Sequence, residues 1–96
     1  MHAALVTLSI DPAQAPAAAA AFTSDVLPRV TSAPGFVAGH WLDPVDGRGF
    51  AMILFETEAQ ARAAVPPQAG WAAPGVTIHG AEIRRVAVSV GLPERG

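Results

Sequence analysis

Cysteine, lysine, asparagine and tyrosine are all absent from this sequence. Without cysteine there is no disulfide, no thiolate nucleophile and no Cys-based metal site, and the chain suits a reducing compartment. Without lysine the six cationic side chains are all arginines, and only Arg84 and Arg85 adjoin each other. Charged residues make up 15% of the chain and the formal net charge is −2, so no cationic stripe exists to track phosphates and nucleic acid is not an expected partner. Long apolar runs are also missing. The opening MHAALVTLSI has no basic flank and is broken by Asp11 and Pro12 before it reaches the length of a signal or a membrane span. The expectation is a cytoplasmic protein with no membrane partner.

What is present is apolar. Hydrophobic residues form 51% of the chain and mean hydropathy is +0.35, high for a chain of 96 residues that closes one core and buries about two-thirds of its unfolded surface. One domain over residues 1–96 is expected, with its core over about 2–90. The surplus of apolar surface predicts a homodimer. The richness in Ala, Gly, Pro and Arg also matches high-GC coding, so some alanines reflect the genome.

Residues 2–10 alternate His2, Ala4, Val6, Leu8 and Ile10 against Ala3, Leu5, Thr7 and Ser9, the period of a strand. Asp11 as N-cap, Pro12 at the first helical position and Gln14 as a capping-box partner open a helix that extends to about Ser32. Phe22, Val26 and Val30 share one face of it, and Pro28 should kink it near Ser24. Residues 36–42 form a second strand with Phe36, Ala38, His40 and Leu42 on one side. Asp46-Gly47 marks a hairpin connection within 43–49. Residues 50–55 are apolar on both faces, which places that strand centrally. Thr57 caps a short second helix from Glu58 to about Val65, ended by Pro66-Pro67. A Pro, Gly and Ala-rich loop holding Trp71 follows, then a last strand from Val76 to about Val90, bulged near Gly80. Residues 92–96 should fray.

The order β, α, β, β, α, β predicts an α+β, ferredoxin-like fold with a four-stranded antiparallel sheet, strands one and three at its centre and both helices on one face. The segments DVLPRVTSAPGF, PGFVAGHW and FAMILFETEAQARAA resemble the dimeric α+β barrel superfamily, in particular its antibiotic-biosynthesis-monooxygenase-like branch, over roughly residues 2–90. The resemblance implies two sheets packed face to face as a barrel, helices outside, and a cleft in each protomer between sheet and helices. It also implies catalytic sets built from Asn, Trp, Tyr and His, or from Asn, Trp and His in the heme-degrading branch. This chain has neither Asn nor Tyr, so both sets are incomplete.

Histidine is the side chain suited to proton transfer near neutral pH, which makes His40 and His79 the candidate catalytic residues. The plainer account of each is a sheet-edge residue. His40 and Trp41 are neighbours on a strand and point to opposite faces, so only one of them faces a cleft. Trp41, Trp71 and Arg85 are the candidate ligand contacts: Trp71 as a lid over the cleft or as a plug of the core, Trp41 as a stacking surface or interface mass, and Arg85 as an anion clamp. Arg84, Arg85 and Glu82 equally serve to blunt an edge strand. His79 shares strand parity with Ala81, Ile83 and Arg85. His2, His40 and His79 contain no close-spaced ligand pair, and no phosphate loop, nucleophile elbow or dinucleotide fingerprint occurs. No metal and no cofactor are expected.

Two functions follow. One is a binding or accessory dimer whose cleft holds a small apolar or aromatic ligand. The other is a cofactor-independent, monooxygenase-like enzyme acting on a small aromatic or polyketide-type substrate, with a histidine taking a phenolic proton.

Overall fold

A computed structural model describes residues 1–65 and 73–91. The expectations for Trp71 and for fraying over 92–96 lie outside the described residues. Strands β1 (His2–Ile10), β2 (Phe36–Trp41), β3 (Arg48–Phe55) and β4 (Val76–Arg85) form one antiparallel sheet in the order β2-β3-β1-β4. The helical segments are α1 (Ala15–Ala21), α2 (Leu27–Thr31) and α3 (Glu58–Ala64). This is the expected ferredoxin-like layout, with β1 and β3 central. None of the described helices is long and apolar enough to cross a membrane.

The period-two pattern of β1 divides as its sequence predicts. Ala4 and Val6 join Ala51, Ile53 and Phe55 of β3 in a core closed by Val26 and Val30 from the first helical run and by Ala61, Ala64 and Val65 from α3. Phe55, Ile53, Val6 and Val65 are the largest fully buried side chains, each stabilising the fold by roughly 1.5–3 kcal/mol through burial. Ala61 and Ala64 are small enough to let α3 lie close to the sheet. Its N-terminus carries a reciprocal capping box: Thr57 Oγ1 accepts from Gln60 N–H at 3.1 Å, and Thr57 N–H donates to Gln60 Oε1 at 3.2 Å.

The first helical run departs from a uniform helix. Asp11 Oδ1 accepts from Ala13 N–H at 3.0 Å, a 3-10 turn covers Pro12–Gln14, and a π-helical turn covers Phe22–Val26 between α1 and α2. Pro28 has no N–H and its ring crowds the carbonyl four residues back. The backbone responds by widening: Leu27 N–H donates to Phe22 O, five residues back. The expected disturbance near Ser24 therefore takes the form of an inserted residue.

The sheet also differs from the strand pattern at two bulges. The β2–β3 register shifts between Phe36 and Ala38, so Phe36 joins Gly39 and Trp41 on the helix side, paired in turn with Phe55, Ile53 and Ala51. The β1–β4 register shifts where Thr7 pairs with Gly80 and Leu8 with Ile78, leaving His79 as the extra residue. That bulge, expected near Gly80, separates His79 from the face of Ile83 and Arg85. The last strand ends at Arg85 rather than Val90 because its partner runs out. His2 is the last residue of β1 paired with β4, opposite Arg85, and Val86 N–H then donates to Met1 O at 2.9 Å.

Candidate functional site

At one end of the helix-covered face, small residues oppose small residues. Ala15, Ala18 and Ala19 of α1 face a part of the sheet that includes Gly49, and neither side can fill the gap. Leu8 and Ile10 of β1, Phe22 and Val26 of the π turn, and Trp41 of β2 wall the cleft that results, about 550 Å³ in volume. Such a volume lies within the range that holds small organic ligands. Two backbone bonds fix the mouth: Ile10 N–H donates to Gly47 O of the hairpin at 2.7 Å, and Asp11 N–H donates to Gly75 O, directly before β4, at 2.9 Å. Asp43, on the hairpin, is the one ionisable residue among the described lining residues.

Trp41 dominates the wall. Its ring meets Phe22 edge-on, with centroids 5.3 Å apart and planes at 61°, the geometry favoured by the ring quadrupoles. The indole Nε1–H is buried without a hydrogen-bond partner among the described residues. A buried donor without a partner costs about 1–3 kcal/mol.

The two candidate histidines are elsewhere. His40 pairs with Met52 across β2–β3 and shares its face, the face away from the helices. His79 Nε2 is hydrogen-bonded to Ser9 Oγ, and Ser9 lies on that same open face. Arg85 is exposed opposite His2, and Ile10, which lines the cleft, is at the other end of β1. The structure therefore brings Trp41 alone of the described candidates into the cleft. Arg84 pairs with Glu82 at 2.6 Å on exposed β4. No group of three or more His, Asp or Glu that could hold a metal converges among the described residues. His2 stands apart from all of these, its Nε2 3.8 Å from Glu58 Oε1.

A mutant of MhuD with two manganese protoporphyrin IX molecules bound per active site superposes on the chain with a TM-score of 0.66 at 22% identity, over 95% of this chain and 99% of that one. The chain shares the fold of MhuD. The heme degrader MhuD from Mycobacterium tuberculosis, with two hemes in its active site, gives 0.62 at 20% identity over 95% and 100% of the two chains. A protein of unknown function from Nitrosomonas europaea gives 0.68 at 22% identity over 98% and 95%. No known family profile and no curated protein sequence matches the chain.

Sequence reasoning assigned Phe22 to the core face of the helix and did not see it as a cleft wall. The signal is the alanine block itself, a run of side chains too short to reach the sheet.

Proposed function

We propose that the chain is a homodimeric α+β barrel protein whose cleft binds a small apolar or aromatic molecule. The observation that carries this reading is the cleft wall: Trp41, Phe22, Leu8 and Ile10 surround a space the alanines of α1 leave open. A flat aromatic ligand would stack on the indole and bury its surface against the aliphatic residues. On the other side of the sheet, Leu5, Phe50 and Met52 are exposed large apolar residues, and a second copy packed face to face would shield them. A cytoplasmic location accords with the absence of cysteine.

Heme, the ligand of MhuD, fits this donor set poorly. The sequence has three histidines and no cysteine or tyrosine. His40 and His79 are on the open face, and His2 is at the end of β1 remote from the cleft. The apolar wall would accept a tetrapyrrole ring, but those side chains offer its iron no axial ligand there. The monooxygenase-like alternative, as read from the sequence, needs an imidazole beside the substrate; neither candidate imidazole is in the cleft, and the one ionisable group among the described lining residues is the Asp43 carboxyl on the hairpin. Binding without turnover is therefore the favoured reading.

The test uses a Trp71→Phe chain, which leaves Trp41 as its only indole. Titration with a panel of polycyclic phenols should quench Trp41 fluorescence saturably, and Ala19→Phe, which fills the cleft from α1, should abolish the effect. Quenching that never saturates, or that Ala19→Phe leaves intact, overturns the proposal.

A further inference from the structure

Trp41 and Asp43 are two residues apart in the chain, so their Cα atoms are at most about 7 Å from each other. Leu42 N–H, between them, donates to Phe50 O at 2.9 Å, which ties this stretch of backbone to β3. The indole has a fixed seat as well. A Cβ on Gly39 would stand 2.5 Å from Trp41 Cζ3, so the glycine gives the ring its place. An aromatic surface and a carboxylate are therefore presented side by side on a braced segment at the cleft.

Charge around the cleft is one-sided. No described arginine or histidine is among its lining residues, and Asp43 is the one ionisable residue there. Arg48 pairs with Ser9 and shares its open face, Arg62 and Arg84 are bound to Glu58 and Glu82, and Arg85 is opposite His2 at the far end of β1. The Asp43 carboxylate is exposed, and no hydrogen bond or ion pair among the described residues engages it. An anion entering the cleft would meet a like charge and no cation to offset it. A cation would meet a free carboxylate and the negative faces of Trp41 and Phe22, whose quadrupoles attract it.

We infer that the ligand of this cleft is an aromatic amine in its ammonium form, with its ring against Trp41, Leu8 and Ile10 and its charged group at the mouth beside Asp43. This inference rests on the binding reading above and gives that site a charge class. Because Asp43 is exposed, water still reaches both charges when they meet, and little desolvation opposes the pairing. The same arrangement disfavours aromatic carboxylates.

Three naphthalenes of similar shape separate charge from fit: 2-naphthylmethylamine, 2-naphthylmethanol and 2-naphthoate. Each is titrated by calorimetry, at neutral pH and low salt, into the full-length parent and into Asp43→Asn, Asp46→Asn and Ala19→Phe. The parent should bind the ammonium about tenfold more tightly than the carboxylate, with the alcohol between them. Asp43→Asn should reduce that ratio to about twofold. Asp46→Asn, on the same hairpin but outside the cleft lining, should keep it near the parent's. Added salt should shrink the ratio in the parent. If the alcohol binds and Ala19→Phe abolishes its binding, but the ratio is absent, reversed or as large in Asp43→Asn as in the parent, the charge selection is wrong and the cleft still takes apolar rings. An equal loss in Asp46→Asn overturns it too, by assigning the effect to the field of the whole hairpin. If none of the three binds, or all bind Ala19→Phe as well as the parent, both readings fall.

Discussion

The Trp41 ring meets Phe22 edge-on across the gap between β2 and the π turn, with centroids 5.3 Å apart. Because this pair forms part of the wall of the cleft beside the small side chains of α1, it holds the helix and the sheet edge in register. Replacing either ring with alanine should destabilise the fold by about 2–4 kcal/mol, a little below the cost at a fully buried site. A double-mutant cycle in urea should return a coupling of about 0.5–1.5 kcal/mol. Strict additivity would mean that the two rings only happen to be near each other.

A gentler substitution separates the indole's bulk from its polar atom. Trp41 Nε1–H is buried with no partner among the described residues, so Trp41→Phe removes an unsatisfied donor together with some apolar area. The two effects oppose each other and are of similar size. The expected net loss is under about 1 kcal/mol in chemical denaturation, far smaller than for Trp41→Ala. An equally large loss would show that the indole N–H has a partner.

The parts of the fold legible in the sequence are those specified by neighbouring residues. Asp46 and Gly47 fixed the hairpin, Thr57 and Gln60 the start of α3, and the alternation over residues 2–10 the two faces of β1. The bulges at Val37 and His79 were harder, since a bulge depends on how two distant segments pair. Only Gly80 hinted at one of them. For this reason parity placed Phe36 with His40, and His79 with Ile83, when each lies on the opposite side. The end of β4 was misjudged on similar grounds: Val86, Val88 and Val90 have a strand's pattern, but a strand needs a partner and β1 stops at His2. The cleft was legible only in part, because a space is defined by what fails to fill it, and the alanines of α1 announce helix propensity more loudly than they announce room.

The hairpin turn offers a sharp conformational test. Asp46 and Gly47 both have positive φ, 52° and 76°, and Val45 and Arg48 exchange backbone hydrogen bonds of 2.9 and 3.0 Å around them. This is the primed turn that suits the twist of the flanking strands. Gly47→Ala should cost about 1–2 kcal/mol, since a Cβ disfavours the left-handed region. Asp46→Asn should be neutral or slightly stabilising. Thermal unfolding of the pair tests both signs.

Two changes in and beside α3 probe how closely it sits on the sheet. Thr57→Ala removes an oxygen that accepts from Gln60 N–H at 3.1 Å and should cost about 1 kcal/mol. Ala61→Leu forces a larger side chain into a position with no exposure and should cost about 1–3 kcal/mol by overpacking. Native-state hydrogen exchange would distinguish them. The cap variant should loosen the first turn of α3, whereas the overpacked variant should loosen β1 and β3 as well.

The open face supplies a prediction of a different kind, in which loss of assembly comes without loss of the protomer fold. Phe50 and Met52 of β3 are 53% and 40% exposed, and Leu5 beside them on β1 is 37% exposed. Phe50→Lys removes little from the protomer because the side chain is already half-exposed, and a cation there suits water. Facing a second sheet, the same cation would be desolvated without a partner, at a cost of several kcal/mol. Sedimentation at micromolar concentration should therefore show the parent as a dimer and Phe50→Lys as a monomer, with nearly the same far-UV circular dichroism. A Phe50→Lys protein that still dimerises as tightly as its parent would mean that the open face is not where two copies meet.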